Sequence, residues 1–435
     1  MCIKKDNLMK TPIAWVLTAV FSLGAMSAEA ADVSLSGFGT LGYAQSNQPY
    51  NYLRFINNNG TVKRDSILGA QADIKFTDSI GATVQGTFAP SPTSDSTWDS
   101  TVSWAFLSWR PADDWLIRVG KQRVPLYLHS ESLNVGATYD FARLPAEMYN
   151  IAPINDYIGG SIEKAWNLDL GELTLDAYAG SQKSGWRFFQ RDDIPGFPTR
   201  QGAWEKPWNL KGEGAVLTLL RDEDKYRMSF HKITNTADPG DSFSTDMSLV
   251  PAAAFGTTSG AAYVLGAFRG TADVLIFTMA AEISLPQDFR LVGEYGRRQA
   301  DNFVTGINSD GGYLALLKDI GAWTPYVSYA AIKSRSDVLS RYQSVNNNPG
   351  LSPVNSATVA GINASQRVLA DTLLAYDQNT IALGTSYRLT PTQKIKFEWA
   401  RTHVGVTSSF VDAPSFGNVS KQNIDVLSFS YNVAF

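Results

Sequence analysis

The sequence predicts an all-β chain closed into a transmembrane antiparallel barrel of about sixteen strands, with eighteen as the alternative count. Three observations carry this expectation. Many segments alternate between apolar and small or polar residues, the period of a pleated strand. Very short turns and long polar loops succeed one another along the whole chain. After Met26, no stretch approaches the roughly 18 consecutive apolar residues of a spanning helix.

The first thirty residues stand apart. Lys4, Lys5 and Lys10 precede an apolar run from Pro12 to Met26, too short to span a bilayer, and Ala28-Glu29-Ala30 offers a small-x-small cleavage pattern. Residues 1–30 therefore read as an export signal cleaved near Ala30, starting at Met1 or Met9, and 31–435 as the barrel. The only cysteine, Cys2, lies in the leader, so the exported part holds together without disulfides. Removing three Lys and two acids turns the formal charge of −4 into about −5. That mildly acidic balance gives no footprint for nucleic acid.

The strand pattern is explicit. Leu68, Ala70, Ala72, Ile74 and Phe76 alternate with Gly69, Gln71, Asp73 and Lys75, and Ile80 to Phe88 repeats the theme. Leu275, Phe277, Met279, Ala281, Ile283 and Leu285 face away from Val274, Ile276, Thr278, Ala280, Glu282 and Ser284. Ile395, Phe397 and Trp399 oppose Lys394, Lys396 and Glu398, and the chain ends Leu427, Phe429, Tyr431, Val433, Phe435 on one parity. Phe76, Phe88, Trp115, Trp166, Phe289, Trp323 and Trp399 near strand ends suit the aromatic girdles of a membrane interface. Lipid tolerates no open sheet edge, so such strands must close.

Short turns are expected at 77–79, 112–114, 169–171, 222–224, 286–288, 319–322 and 390–392, built from residues that accept turn dihedrals. Long loops are expected at 46–65, 90–99, 125–156, 183–211, 236–272, 300–311, 334–378 and 404–422. Residues 243–250 and 261–268 offer an extra hairpin, the source of the eighteen-strand count, and 363–376 offers a short helix. The loops look too rich in Asn, Ser and Gly to build a core of their own, so no second domain is expected.

Other motifs weigh little. Gly37-Phe38-Gly39-Thr40-Leu41-Gly42 has the letters of a dinucleotide loop but continues an alternating strand and leads into no helix. Its outer-face glycines suit close packing on a neighbouring subunit. His231 is expected in the lumen and His129 and His403 in loops, none at a metal-ligand spacing. Ser428 or Ser430 with His403 lacks the local signature of a hydrolase. Neither an enzyme nor a cofactor is expected.

The stretch 125–156 is different. Leu126, Tyr127, Leu128, Leu133, Val135, Tyr139, Phe141, Leu144, Met148, Tyr149 and Ile151 demand burial, which a loop achieves by folding inward against the wall. Its charges, Glu131, Asp140, Glu147 and Asp156 against Arg143, sum to −3.

On Ser34 to Gly42, Ala142 to Tyr149 and the terminal strand, the chain resembles the sixteen-stranded porins of Gram-negative bacteria. The loop lacks the Pro-Glu-Phe-Gly-Gly tip of the best-known general porins. The resemblance implies an outer-membrane homotrimer, with Phe435 as the signal read by the barrel assembly machinery. It also implies a third loop that narrows the pore, its acids facing wall bases. The constriction would hold Arg118, Glu131, Asp140, Arg143 and Glu147. Further lumen charges would be Asp73, Lys75, Arg227, Glu282, Arg290, Glu294, Lys396 and Glu398, with Asp176 and Arg298 on the same parity. Lys121 and Arg123 fall on the outer parity unless a bulge at Gly120 turns them inward. The mixture of signs favours passive diffusion of small hydrophilic solutes, with a mild cation preference from the loop. The alternative is a channel selective for organic anions, phosphate or sugars, and a barrel enzyme or adhesin ranks lower.

Overall fold

The computed structural model describes residues 31–152, 155–194, 200–300, 303–415 and 417–435. The expected export signal, 1–30, lies outside the described residues. The strands of the first half are β1 (Asp32–Ser46), β2 (Ile67–Lys75), β3 (Ile80–Pro90), β4 (Trp98–Trp109), β5 (Trp115–Arg123), β6 (Asp156–Leu168), β7 (Gly171–Gln190), β8 (Gly202–Arg221) and β9 (Asp224–Thr236). Then follow β10 (Phe243–Pro251), β11 (Ser259–Arg269), β12 (Thr271–Leu285), β13 (Phe289–Ala300), β14 (Ser309–Lys318) and β15 (Trp323–Ser334). The last are β16 (Leu351–Ser352), β17 (Tyr376–Thr390), β18 (Gln393–Ser408) and β19 (Asn423–Ala434). Among the described residues three α-helices intervene: α1 (Ala146–Tyr149), α2 (Ser336–Asn346) and α3 (Ala357–Thr372).

Sixteen of these strands form one closed antiparallel barrel; β10, β11 and β16 make a separate three-stranded sheet. The closure is the pairing of β1 with β19, in which Leu41 faces Tyr431 and Gly39 faces Val433. The extra hairpin does form, Met247 opposite Leu265, but it stands outside the wall, so the count is sixteen rather than eighteen. All seven expected short turns gather on one rim and the eight long loops on the other. The expected loop at 183–211 is much shorter, because β7 and β8 run 20 residues each and stay paired from Glu172–Leu220 to Gln190–Gly202. The last loop likewise begins only after Ser408, which puts His403 on a strand.

Alternation fixes the outside. Leu35, Leu68, Val119, Phe230, Leu314, Leu383 and Leu427 are exposed on the outer parity of their strands, a surface suited only to lipid. Phe76, Trp115, Trp166, Phe289 and Trp323 ring the short-turn rim, while Phe88 stacks on Trp98 near the other rim at 5.4 Å. Trp399 sits mid-strand instead. Among the described residues no helix is long and apolar enough to cross a membrane; the strands cross it.

The glycines of β1 serve the chain itself. The ring of Phe435 lies where a Cβ on Gly37 would be, 2.6 Å away, and Leu68 covers Gly39 at 3.0 Å. Gly37 and Phe435 also exchange both backbone hydrogen bonds, at 2.7 and 2.9 Å. The close approach expected of a neighbouring subunit at these positions is thus made within the chain.

The long loops build a core after all. In α2, Val338, Leu339, Tyr342 and Val345 fall on one face, and they pack with Leu369, Ala370 and Leu373 of the α3 region. Met247 and Tyr263 of the β10–β11 hairpin join them. The polar composition of these loops concealed it, because only one face of each short element is apolar.

Candidate pore constriction

The third long loop, described over 124–152 and called L3 below, folds into the lumen. Leu126, Tyr127, Leu128, Phe141, Leu144, Met148 and Ile151 are buried in one cluster with wall residues Ile233, Val274, Ile276, Val292, Tyr313, Ala315, Leu317 and Tyr326. L3 is therefore packed as a core element against the inner face of β9 and β12–β15. Each fully buried Leu or Ile contributes about 1.5–3 kcal/mol of transfer free energy, enough to hold a loop in place.

Polar anchors supplement that packing. Glu294 on β13 accepts from the backbone N–H of Leu128 (2.7 Å), Tyr149 Oη (2.5 Å) and Tyr313 Oη (2.9 Å). Lys396 on β18 is fully buried and donates to the carbonyls of Gly136 (2.6 Å) and Phe141 (2.9 Å). Glu398 accepts from Tyr326 Oη at 2.8 Å, and that hydroxyl accepts from the N–H of Ala142 at 2.9 Å. Arg298, also buried, donates to the Ile151 carbonyl at 3.0 Å.

The acids of L3 separate into two kinds. Asp140 pairs with Lys394 at 2.7 Å and with Arg290, and accepts from Ser386 Oγ at 2.8 Å. Burial works to raise its carboxyl, but Lys394 and Arg290 outweigh that and hold it well below the usual carboxylate range. Glu147 is buried and accepts from Gln378 Nε2 (2.7 Å) and Thr380 Oγ1 (2.5 Å). The one base, Arg143, makes a two-pronged pair with Asp65 (2.9 and 2.5 Å) and touches Ser428 at 3.2 Å. Glu131 alone of this set stays in water, its side chain 71% exposed and 3.9 Å from Arg118 on β5.

Other expected lumen charges are scattered. Asp73 accepts from Thr83 Oγ1 and Gln71 Nε2, Glu282 pairs with Arg290 at 2.9 Å, and Arg227 donates to the Pro125 carbonyl at 2.8 Å. Lys75 sits at the short-turn rim beside Asp78 and belongs to no constriction. Lys121 and Arg123 keep the outer parity: Gly120 adopts a φ of 137°, yet the register with β4 and β6 runs unbroken through it. Both bases lie near Asp156, at 3.6 and 3.7 Å, which removes that acid from the lumen. The net −3 expected of the loop therefore does not face the pore; Glu131 is what remains of it.

Among the histidines, His231 is fully buried inside, bonded to Tyr178 Oη at 2.9 Å and Ser229 Oγ at 2.7 Å. His129 lies in L3, its imidazole pushed down to about 4 by burial. His403 is exposed on the outer parity beside Asn423, across the wall from buried Ser428 and Ser430.

Sequence reasoning missed Asp65, Lys394, Ser386, Gln378 and Thr380 as anchors. Lys394 shares the parity of Lys396 and so carried a signal; the others are common polar residues whose roles depend on where L3 lands. On the short-turn side of L3, a cavity of about 670 Å³ opens among Asp140, Asp288, Arg290, Asp319, Arg388 and Lys394.

No family model and no curated relative matches the chain. Among solved structures it is similar to the loop L8 deletion mutant of OmpT, an outer membrane protein of Vibrio cholerae. The two share 11% identity over 94% of this chain and 100% of that one, with a TM-score of 0.51. In-vitro folded OmpT in its trimer form is similar to the same extent: 11% identity, 94% and 100% coverage, TM-score 0.51. At such identity the likeness is one of fold.

Proposed function

We propose that the chain is an outer-membrane porin through which small hydrophilic solutes diffuse passively. One observation carries the reading. The barrel is apolar outside, and inside it L3 leaves Glu131 in water, 71% exposed, beside the partly exposed Arg118 on the β5 wall. A barrel filled only for stability would have no reason to leave ionised groups wet in its interior. The similar fold of a Vibrio cholerae protein described as outer-membrane, and described in a trimer form, supports the location and a trimeric state. The reading assigns no catalytic step.

Purified protein in a planar bilayer should give steady steps of conductance that rise in proportion to salt. A heat-modifiable band of trimer size should accompany them in unheated gels. No conductance at any voltage would remove the porin reading. Conductance blocked saturably by one organic anion, phosphate or sugar would replace diffusion with selective transport.

A further inference from the structure

The wall strip around Glu131 carries both signs of charge and lies beside an aromatic shelf. Near Glu131 stand Arg118 on β5, Asp176 on β7, and Lys225 and Arg227 on β9. Glu131 is within electrostatic reach of Asp176, Lys225 and Arg227, and Asp176 of Arg118 and Glu163. Bases and acids thus face one another here, with Glu282 and Glu294 also in reach of Lys225. The Arg118 guanidinium lies 5.7 Å over the Phe106 ring, which is 6.1 Å from Trp104. Asp176 Oδ1, Arg227 Nε and Trp104 Nε1 are buried without a hydrogen-bond partner among the described residues. Such groups are normally satisfied, and these three, on β4, β7 and β9, leave donors and an acceptor for a polar visitor to meet.

We propose that this strip binds small zwitterions with an apolar side group, the chemistry of free aliphatic and aromatic amino acids, while they cross. The inference rests on the porin reading above. The carboxylate takes the Arg118 pole, the ammonium takes Glu131 and the side group lies along Phe106 and Trp104. The 3.9 Å contact between Arg118 and Glu131 is loose enough to be opened, and a solute carrying both charges satisfies both partners. A solute with a single charge meets one attractive pole and one repulsive pole side by side. A neutral solute gains neither.

Proteoliposomes of the full chain, loaded by tracer uptake, test this with leucine, leucinamide, N-acetyl-leucine and mannitol. Leucine should enter several-fold faster than the other three, because it alone meets both poles with opposite charges. Arg118→Gln should abolish that lead and favour leucinamide; Glu131→Gln should abolish it and favour N-acetyl-leucine. Opposite shifts exclude a mere change of pore width. Leucine entering no faster than its single-charge analogues, or both variants changing all four rates alike, overturns the site while leaving the porin reading intact. No entry of any solute, with no conductance, overturns both.

Discussion

Strands β2 and β3 and strands β12 and β14 span the same membrane, yet their inner faces differ. In β2 the inner parity is Gly69, Gln71, Asp73; in β12 it begins Ala272, Val274, Ile276, and in β14 it ends Tyr313, Ala315, Leu317. Along the middle of each strand the outer parity is apolar: Leu68 to Ile74, Leu275 to Leu285, and Leu314 with Leu316. The first pair therefore alternates cleanly, whereas Val274 to Phe277 and Tyr313 to Leu317 run apolar on both faces. A strand buried on two sides reads as a continuous apolar run. Here the second side is covered by L3, which packs on β12–β15, whereas beside β5 its Glu131 stays in water. The difference teaches that a loop inside a barrel writes its docking site into the wall, as a loss of alternation.

The largest expected effect would break the docked side. Asp140→Ala strands Arg290 and Lys394 without their shared carboxylate. Removing one partner of a buried pair costs about 3–5 kcal/mol, discounted here because Arg290 keeps Glu282. L3 should loosen, giving larger and noisier single-channel currents and a lower temperature for the gel-mobility transition. Native currents and an unchanged transition would show that apolar packing alone holds the loop.

A smaller effect should come from pH through His129. Its imidazole is neutral in the docked loop, with a folded value near 4 against an ordinary 6.5. The released loop therefore binds more protons between these values, so docking weakens as pH falls from about 6.5 to about 4 and then levels off. Current noise recorded across that window should rise in the native protein and stay flat in His129→Asn. Equal noise in both would assign the pH response elsewhere.

The smallest effect on stability belongs to the wet side. Glu131→Gln should move the gel-mobility transition hardly at all, within the ~0.5 kcal/mol of an exposed pair. Its reversal potential in a salt gradient should nonetheless shift toward anions. A transition lowered as far as in Asp140→Ala would mean that Glu131 is an anchor too.

Much of this molecule was written in the chain locally. Period-two alternation, turn residues such as Asp222-Glu223-Asp224 and the polarity of the long loops set sixteen strands and their facing, because each depends on neighbours one or two residues away. The burial demanded by Leu126, Met148 and Ile151 likewise required an inward L3. Which charges would do what was decided only by the fold. Asp140 and Glu131 are nine residues apart in one acidic loop, yet one lands between Lys394 and Arg290 and the other in water beside Arg118. The physical reason is that a charge takes its role from partners and solvent, and those partners come from strands far away in sequence that meet only when the barrel has closed.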